Sequence, residues 1–125
     1  MELNEAIEVT ALTEYLEEQS DPEDDRFVFS YQITIRNHAD QDVTLLSRHW
    51  YVTNGHGDMQ EVDGEGVVGE QPCIPAGGEF VYSSGSVMST SVGSMHGFYR
   101  MQSADKQHFQ AAIPVFTLAA PFALN

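Results

Sequence analysis

Phe27-Val28-Phe29-Ser30-Tyr31-Gln32-Ile33-Thr34-Ile35, FVFSYQITI, decides the fold class. Phe27, Phe29, Tyr31, Ile33 and Ile35 occupy every second position, with Val28, Ser30, Gln32 and Thr34 between them. Successive side chains of a strand point to opposite faces, so this pattern lays one aromatic and β-branched face on a core. The same residues on a helix would be scattered around its circumference.

Working outward, Ile7 to Ala11 alternates in the same way and predicts another strand. Leu12 to Leu16 would continue it with a change of face, through a bulge. A helix over 3–19 competes, because Leu3, Ile7, Leu12 and Leu16 have near-helical spacing. The acidic stretch about 17–25, with Pro22, reads as a loop. On the other side, Asn37 to Asp42 is a turn cluster, and Val43 to Thr53 resumes a strand, giving an expected hairpin with FVFSYQITI. Asn54 to Asp58 is a further turn, followed by a short strand at Met59 to Val62. Strands are also expected at Glu79 to Ser83, around Phe98 to Met101 and at Phe109 to Leu118, with a weak strand or connection at Val87 to Val92. Pro114 places the Phe109 to Leu118 strand at an edge or a bulge. Seven or so short strands without a second helical pattern predict one all-β domain over residues 1–125, an antiparallel sandwich.

Asp63 to Pro72, DGEGVVGEQP, contains Gly64-x-Gly66-x-x-Gly69, the spacing of phosphate-binding glycine loops. That chemistry needs a helix whose N-terminal amides and dipole face the pyrophosphate. Pro72, Pro75, Gly77 and Gly78 follow instead, which opposes a helix, and Glu65 and Glu70 would put negative charge beside an anion. The corner Gly64, Glu65, Gly66, Val67, Val68, Gly69, Glu70 therefore reads as a structural turn or the rim of a partner-binding surface, with a bare amide nest for an anion as the remaining ligand option.

The 125-residue chain carries 5 Lys+Arg against 19 Asp+Glu, a net charge of −14. Such a field repels phosphate backbones and anionic membranes, which argues against nucleic acid, and would attract cations or a basic protein surface. No apolar run is long enough for a membrane-spanning helix, and the N-terminus has no basic and apolar leader pattern, so a cytoplasmic protein without membrane insertion is expected. One cysteine, Cys73, rules out an internal disulfide framework, and its acidic setting discourages a thiolate nucleophile. His49, His56 and Asp58 are weak metal candidates, since their spacing matches no ligand motif. The hydroxyls at Ser83, Ser84, Ser86, Ser89, Thr90 and Ser91 lack a nucleophile elbow. No cofactor is expected.

Arg48-His49-Trp50-Tyr51 is the remaining candidate. If Leu46 and Trp50 face the core, Arg48 shares their side while His49 and Tyr51 face away. Buried there, Arg48 would need carboxylate or carbonyl partners, which Glu65 or Glu70 could supply. Arg48 would then pin the glycine corner to the sheet, or the strand and corner together would present a binding surface.

The order Ser47-Arg48-His49-Trp50, Val62 to Pro72, Ile74-Pro75, Phe80 to Gly85, Gly93 to Met101 and Ile113 to Leu118 resembles the bacterial ApaG (CorD) family, from about Ile7 to Leu118. Ala76-Gly77-Gly78-Glu79 departs from the tighter Pro-Gly-Glu turn of that family. The resemblance implies a fibronectin type III or immunoglobulin-like sandwich and no established enzymatic activity. It also implies an association with cobalt tolerance and magnesium efflux, and with a genomic neighbourhood of diadenosine polyphosphate hydrolysis. Related eukaryotic domains in F-box proteins and in a DNA-polymerase-interacting protein point to protein binding. The expectation is a non-enzymatic interaction or regulatory module with a protein partner. The alternative is a small-ligand module for a divalent cation or a phosphate compound. An edge strand such as that of Pro114 would permit a homodimer.

Overall fold

The computed structural model describes residues 2–124, so Met1 and Asn125 lie outside the described residues. Eight strands run in chain order: β1 Ile7–Tyr15, β2 Phe27–Asn37, β3 Val43–Asn54, β4 Met59–Glu65, β5 Cys73–Ile74, β6 Glu79–Met88, β7 Val92–Ser103 and β8 His108–Ala119. They form two antiparallel sheets, one ordered β1-β2-β6 and the other β4-β3-β7-β8, with β5 added to the start of β3. This is a fibronectin type III-like sandwich.

The alternation in β2 sets its position. Phe29, Ile33 and Ile35 are fully buried, and they meet Leu45, Tyr99, Met101, Ile113 and Leu118 from the opposite sheet. Trp50 packs edge-on against Tyr31 and Tyr99 in this core. Tyr82 of β6 and Tyr99 of β7 join the sheets through hydroxyls 2.6 Å apart. Burial pushes both phenols above the ordinary tyrosine range.

Several expectations are corrected. β2 and β3 do not form a hairpin: β2 pairs with β1 and β6, while β3 pairs with β4, β5 and β7. The Asn37–Asp42 turn is a crossing between sheets, which lets the apolar faces of β2 and β3 meet rather than lie side by side. Asn37 anchors the crossing from a buried position, donating from Nδ2 to the Gln41 and Ile74 carbonyls and accepting from the Ala39 amide.

β1 contains no bulge. Its register with β2 is unbroken from Ile7 opposite Asn37 to Tyr15 opposite Phe29, so Leu12 keeps the outward parity and is 71% exposed. The competing helix is reduced to one 3₁₀ turn at Leu3–Glu5. The acidic loop is organised by 3₁₀ turns at Glu17–Gln19 and Pro22–Asp24. It folds back so that the Val28 amide donates to Ser20 Oγ, which buries Val28 as well as its inward neighbours.

β4 and β6 run longer than expected, to Glu65 and Met88, because continuous ladders with β3 and β2 carry polar and glycine residues along. Pro114 lies on the edge strand β8, and the β7–β8 register shifts opposite it, between Met95 and Gly97. No helix among the described residues is long and apolar enough to cross a membrane.

Candidate functional site

β3 divides the candidate residues between two faces. A register shift between Leu45 and Ser47 resets its parity, after which Arg48 and Trp50 turn inward while His49 and Tyr51 turn outward. Trp50 is a core residue, only 3% exposed.

Arg48 sits under the glycine corner. Its Nη1 donates to the Glu65 and Gly66 carbonyls at 3.0 and 2.9 Å. Glu65 therefore supplies its backbone oxygen rather than its carboxylate. The guanidinium occupies the space where a Gly64 side chain would stand.

Beyond Gly64 the corner closes as a two-residue turn. Val67 and Glu70 exchange amide-to-carbonyl bonds of 2.8 and 2.9 Å, and Val68 and Gly69 both have positive φ, 44° and 82°. This is a type I′ geometry. It drops the Val67 side chain fully into the core. The Gly66, Val67 and Glu70 amides donate to the carbonyls of Leu46, Glu70 and Val67. These donors are used inside the fold, and no helix follows Gly69, so the corner lacks the open helix N-terminus that pyrophosphate binding requires.

The outer face of the larger sheet gathers groups that the sequence lists far apart. Cross-strand register sets His49 opposite Phe98 and Tyr51 opposite His96. The His49 and Phe98 rings stack with centroids 5.1 Å apart, Tyr51 and His96 stack at 4.9 Å, and His49 meets Tyr51 edge-on at 4.9 Å. Arg100 extends the row, its guanidinium carbon 5.3 Å from the Phe98 centroid. From the adjacent β4, Asp63 approaches His49 Nδ1 at 3.2 Å and Arg100 Nη1 at 3.6 Å, while Glu61 lies 3.4 Å from His49 Nε2.

The two carboxylates thus stand at opposite nitrogens of one imidazole instead of converging on a shared point with it. Among the described residues no group of three or more His, Cys, Asp or Glu side chains could hold a metal ion. His56 and Asp58 are in the β3–β4 turn, where their amides donate to Asn54 Oδ1, and they do not join His49. Cys73 is exposed on β5.

His96, Phe98, Arg100, Glu61 and Asp63 were not singled out from sequence as parts of a site. The available signal was alternation: His96, Phe98 and Arg100 share one face of a strand whose other face is buried at Tyr99 and Met101.

Fold and surface together define an all-β sandwich protein with an aromatic and histidine-bearing outer sheet face. Comparison with known proteins identifies its kind. The ApaG domain family model matches residues 17–103, and the chain belongs to that family. Protein ApaG of Azoarcus sp. (strain BH72) is 55% identical over 119 residues, 95% of this chain and 94% of that one. Protein ApaG of Klebsiella pneumoniae (strain 342) is 56% identical over 107 residues, 86% of each chain. A solved structure from Bordetella pertussis, described as an ApaA protein, has a TM-score of 0.90 and 38% identity, covering 92% of this chain and 94% of that one.

Proposed function

We propose that this protein is a non-catalytic binding module that recognises another protein through the outer face of its larger sheet. One observation carries the reading. The outward face of an antiparallel sandwich sheet is ordinarily polar. That of the smaller sheet is mixed, with Thr10, Thr34, Gln32 and Ser83 beside the exposed aliphatics Leu12, Val81 and Val87, and among the described residues it carries no aromatic ring. The larger sheet instead carries four mutually packed rings, His49, Tyr51, His96 and Phe98, each half-buried, with Arg100 at their border. Aromatic residues and arginine are the types enriched where proteins meet.

A divalent-cation or phosphate module is less well supported, because the imidazole and carboxylates do not converge and the Gly66, Val67 and Glu70 amides are engaged within the fold. The association with cobalt tolerance and magnesium efflux implied by the family resemblance would then act through a bound cytoplasmic protein rather than through an ion held by this chain.

The test compares affinity recovery from native cytosol by the wild-type protein, by Phe98→Glu on the ring face and by Thr10→Glu on the smaller sheet, all shown folded by thermal melts. A partner kept by wild type and Thr10→Glu but lost by Phe98→Glu supports the reading. Equal recovery by all three removes it.

A further inference from the structure

We infer that the free edge of β4 accepts an extended, basic segment of a partner protein as an added strand. The inference deepens the binding reading above, placing the partner's main chain beside the ring face. Among the described residues β4 pairs only with β3, so its other side is open.

The ladder itself shows which groups are offered. The Asn54 amide donates to the Asp58 carbonyl at one end of the β3–β4 pair, and the Gly66 amide donates to the Leu46 carbonyl at the other. In an antiparallel pair, bonded and non-bonded positions alternate. Gln60, Val62 and Gly64 therefore bond to Val52, Trp50 and Arg48, and the N–H and C=O groups of Met59, Glu61 and Asp63 point to the open side. Glu65 has the same parity, but Arg48 takes its carbonyl. Arg48 thus marks the end of a pairing window that spans Met59 to Asp63.

Of the usual protections against strand addition the window lacks proline, lysine and a bulge that twists the edge away, and keeps only the acidic charges of Glu61 and Asp63, which deter another acidic strand and not a basic one. Its sequence is MQEVD, and its register with β3 is regular throughout. The edge of β8, in contrast, carries Pro114 and a register shift.

Charge selects the occupant. Glu61 and Asp63 lie on the outer face with side chains 55% and 59% exposed, so both remain reachable despite their contacts with His49 and Arg100. Like charges across a strand pair are destabilising and opposite charges favourable. A second copy of a chain with net charge −14 would bring more acid to this edge. Lysine or arginine at alternate positions would instead meet Glu61 and Asp63. Apolar residues between them would turn toward Val62, which is 37% exposed on the inner face. Main-chain bonds from the edge with alternate side chains read by the sheet constitute recognition by strand addition.

The probe is a synthetic peptide of alternating lysine and valine, titrated into isotope-labelled protein and followed by NMR. The expected result is shift changes centred on Met59 to Asp63, with slowed hydrogen exchange at the Glu61 and Asp63 amides. Methylating the peptide amides on its edge-facing side should abolish binding. Glu61→Lys with Asp63→Lys should weaken it roughly tenfold and transfer preference to the matching glutamate–valine peptide. Glu61→Pro removes an edge-facing amide together with the Glu61 carboxylate, so it should weaken binding more than Glu61→Gln, which loses the charge and keeps the amide. Shifts mapping to β6, binding indifferent to N-methylation, or no binding at millimolar peptide would each overturn the inference, as would assembly of the protein with itself through β4. Should the peptide fail while Phe98→Glu still removes the cytosolic partner, the edge is excluded and the ring-face reading stands.

Discussion

The Arg48 guanidinium faces the backbone of Gly64 so closely that a Cβ at Gly64 would fall 2.8 Å from Nη2, 2.9 Å from Cζ and 3.0 Å from Nη1. Those nearly equal distances mean that the planar group presents its face to the glycine, with Nη1 left to bond the Glu65 and Gly66 carbonyls. The two residues form one device. A missing side chain on β4 makes room for a cation that ties the end of that strand to β3.

Gly64→Ala should displace the guanidinium and cost about 2 kcal/mol, the scale of hydrogen bonds made by a charged donor. Arg48→Met should cost a similar amount. The double variant should lose little more than either single change, because both remove the same interaction. Urea denaturation of the four proteins measures the coupling, and simple additivity would contradict the shared device.

Glycines within one motif should differ sharply in cost. A Cβ at Gly66 would stand 2.1 Å from the Glu70 carbonyl oxygen, at a φ of +59°. Gly66→Ala is expected to destabilise by about 3 kcal/mol, combining overpacking with left-handed backbone strain. At Gly69 a Cβ meets nothing within 4 Å, so only its φ of +82° matters. Gly69→Ala should cost about 1 kcal/mol. Thermal melts would show the order, and equal losses would refute it.

Val68 should be improvable. It is β-branched at φ 44° and 57% exposed, so it bears strain without adding to the core. Val68→Asn creates Asn-Gly, the sequence that a type I′ turn favours, and should stabilise by about 1 kcal/mol. The urea midpoint should rise with an unchanged slope.

Alkaline pH should weaken the fold through Tyr82 and Tyr99. Their folded pKa values are raised, chiefly by burial, so both hydroxyls keep their protons where unfolded tyrosines ionise. Their contribution is complete below the unfolded tyrosine value of about 10 and is lost progressively as pH climbs above it. Each can steepen the loss by up to about 1.4 kcal/mol per pH unit. Stability measured between about pH 9 and 12 should decline less steeply for Tyr82→Phe with Tyr99→Phe, even where that variant is weaker at neutral pH.

How far the sequence could be read depended on the range of the interactions. Alternation from Phe27 to Ile35 specified a strand with one buried face, because side-chain parity is a local property of extended backbone. Pro114 identified its strand as an edge or bulged one, since a residue without an amide donor does not suit a central ladder. The prolines after Gly69 argued against a phosphate-binding helix for an equally local reason. Local pattern could not say which strand pairs with which, and the turn at Asn37 to Asp42 served a crossing between sheets instead of a hairpin. Nor did it bring His49 to Phe98 or Tyr51 to His96. Those residues are distant in sequence and meet only through the β3–β7 register, which inter-sheet packing and a single register shift fix together. The sequence by itself determined the faces of the strands. Tertiary structure decided what each face meets, because pairing partners are chosen by burial summed over both sheets and not by any one segment.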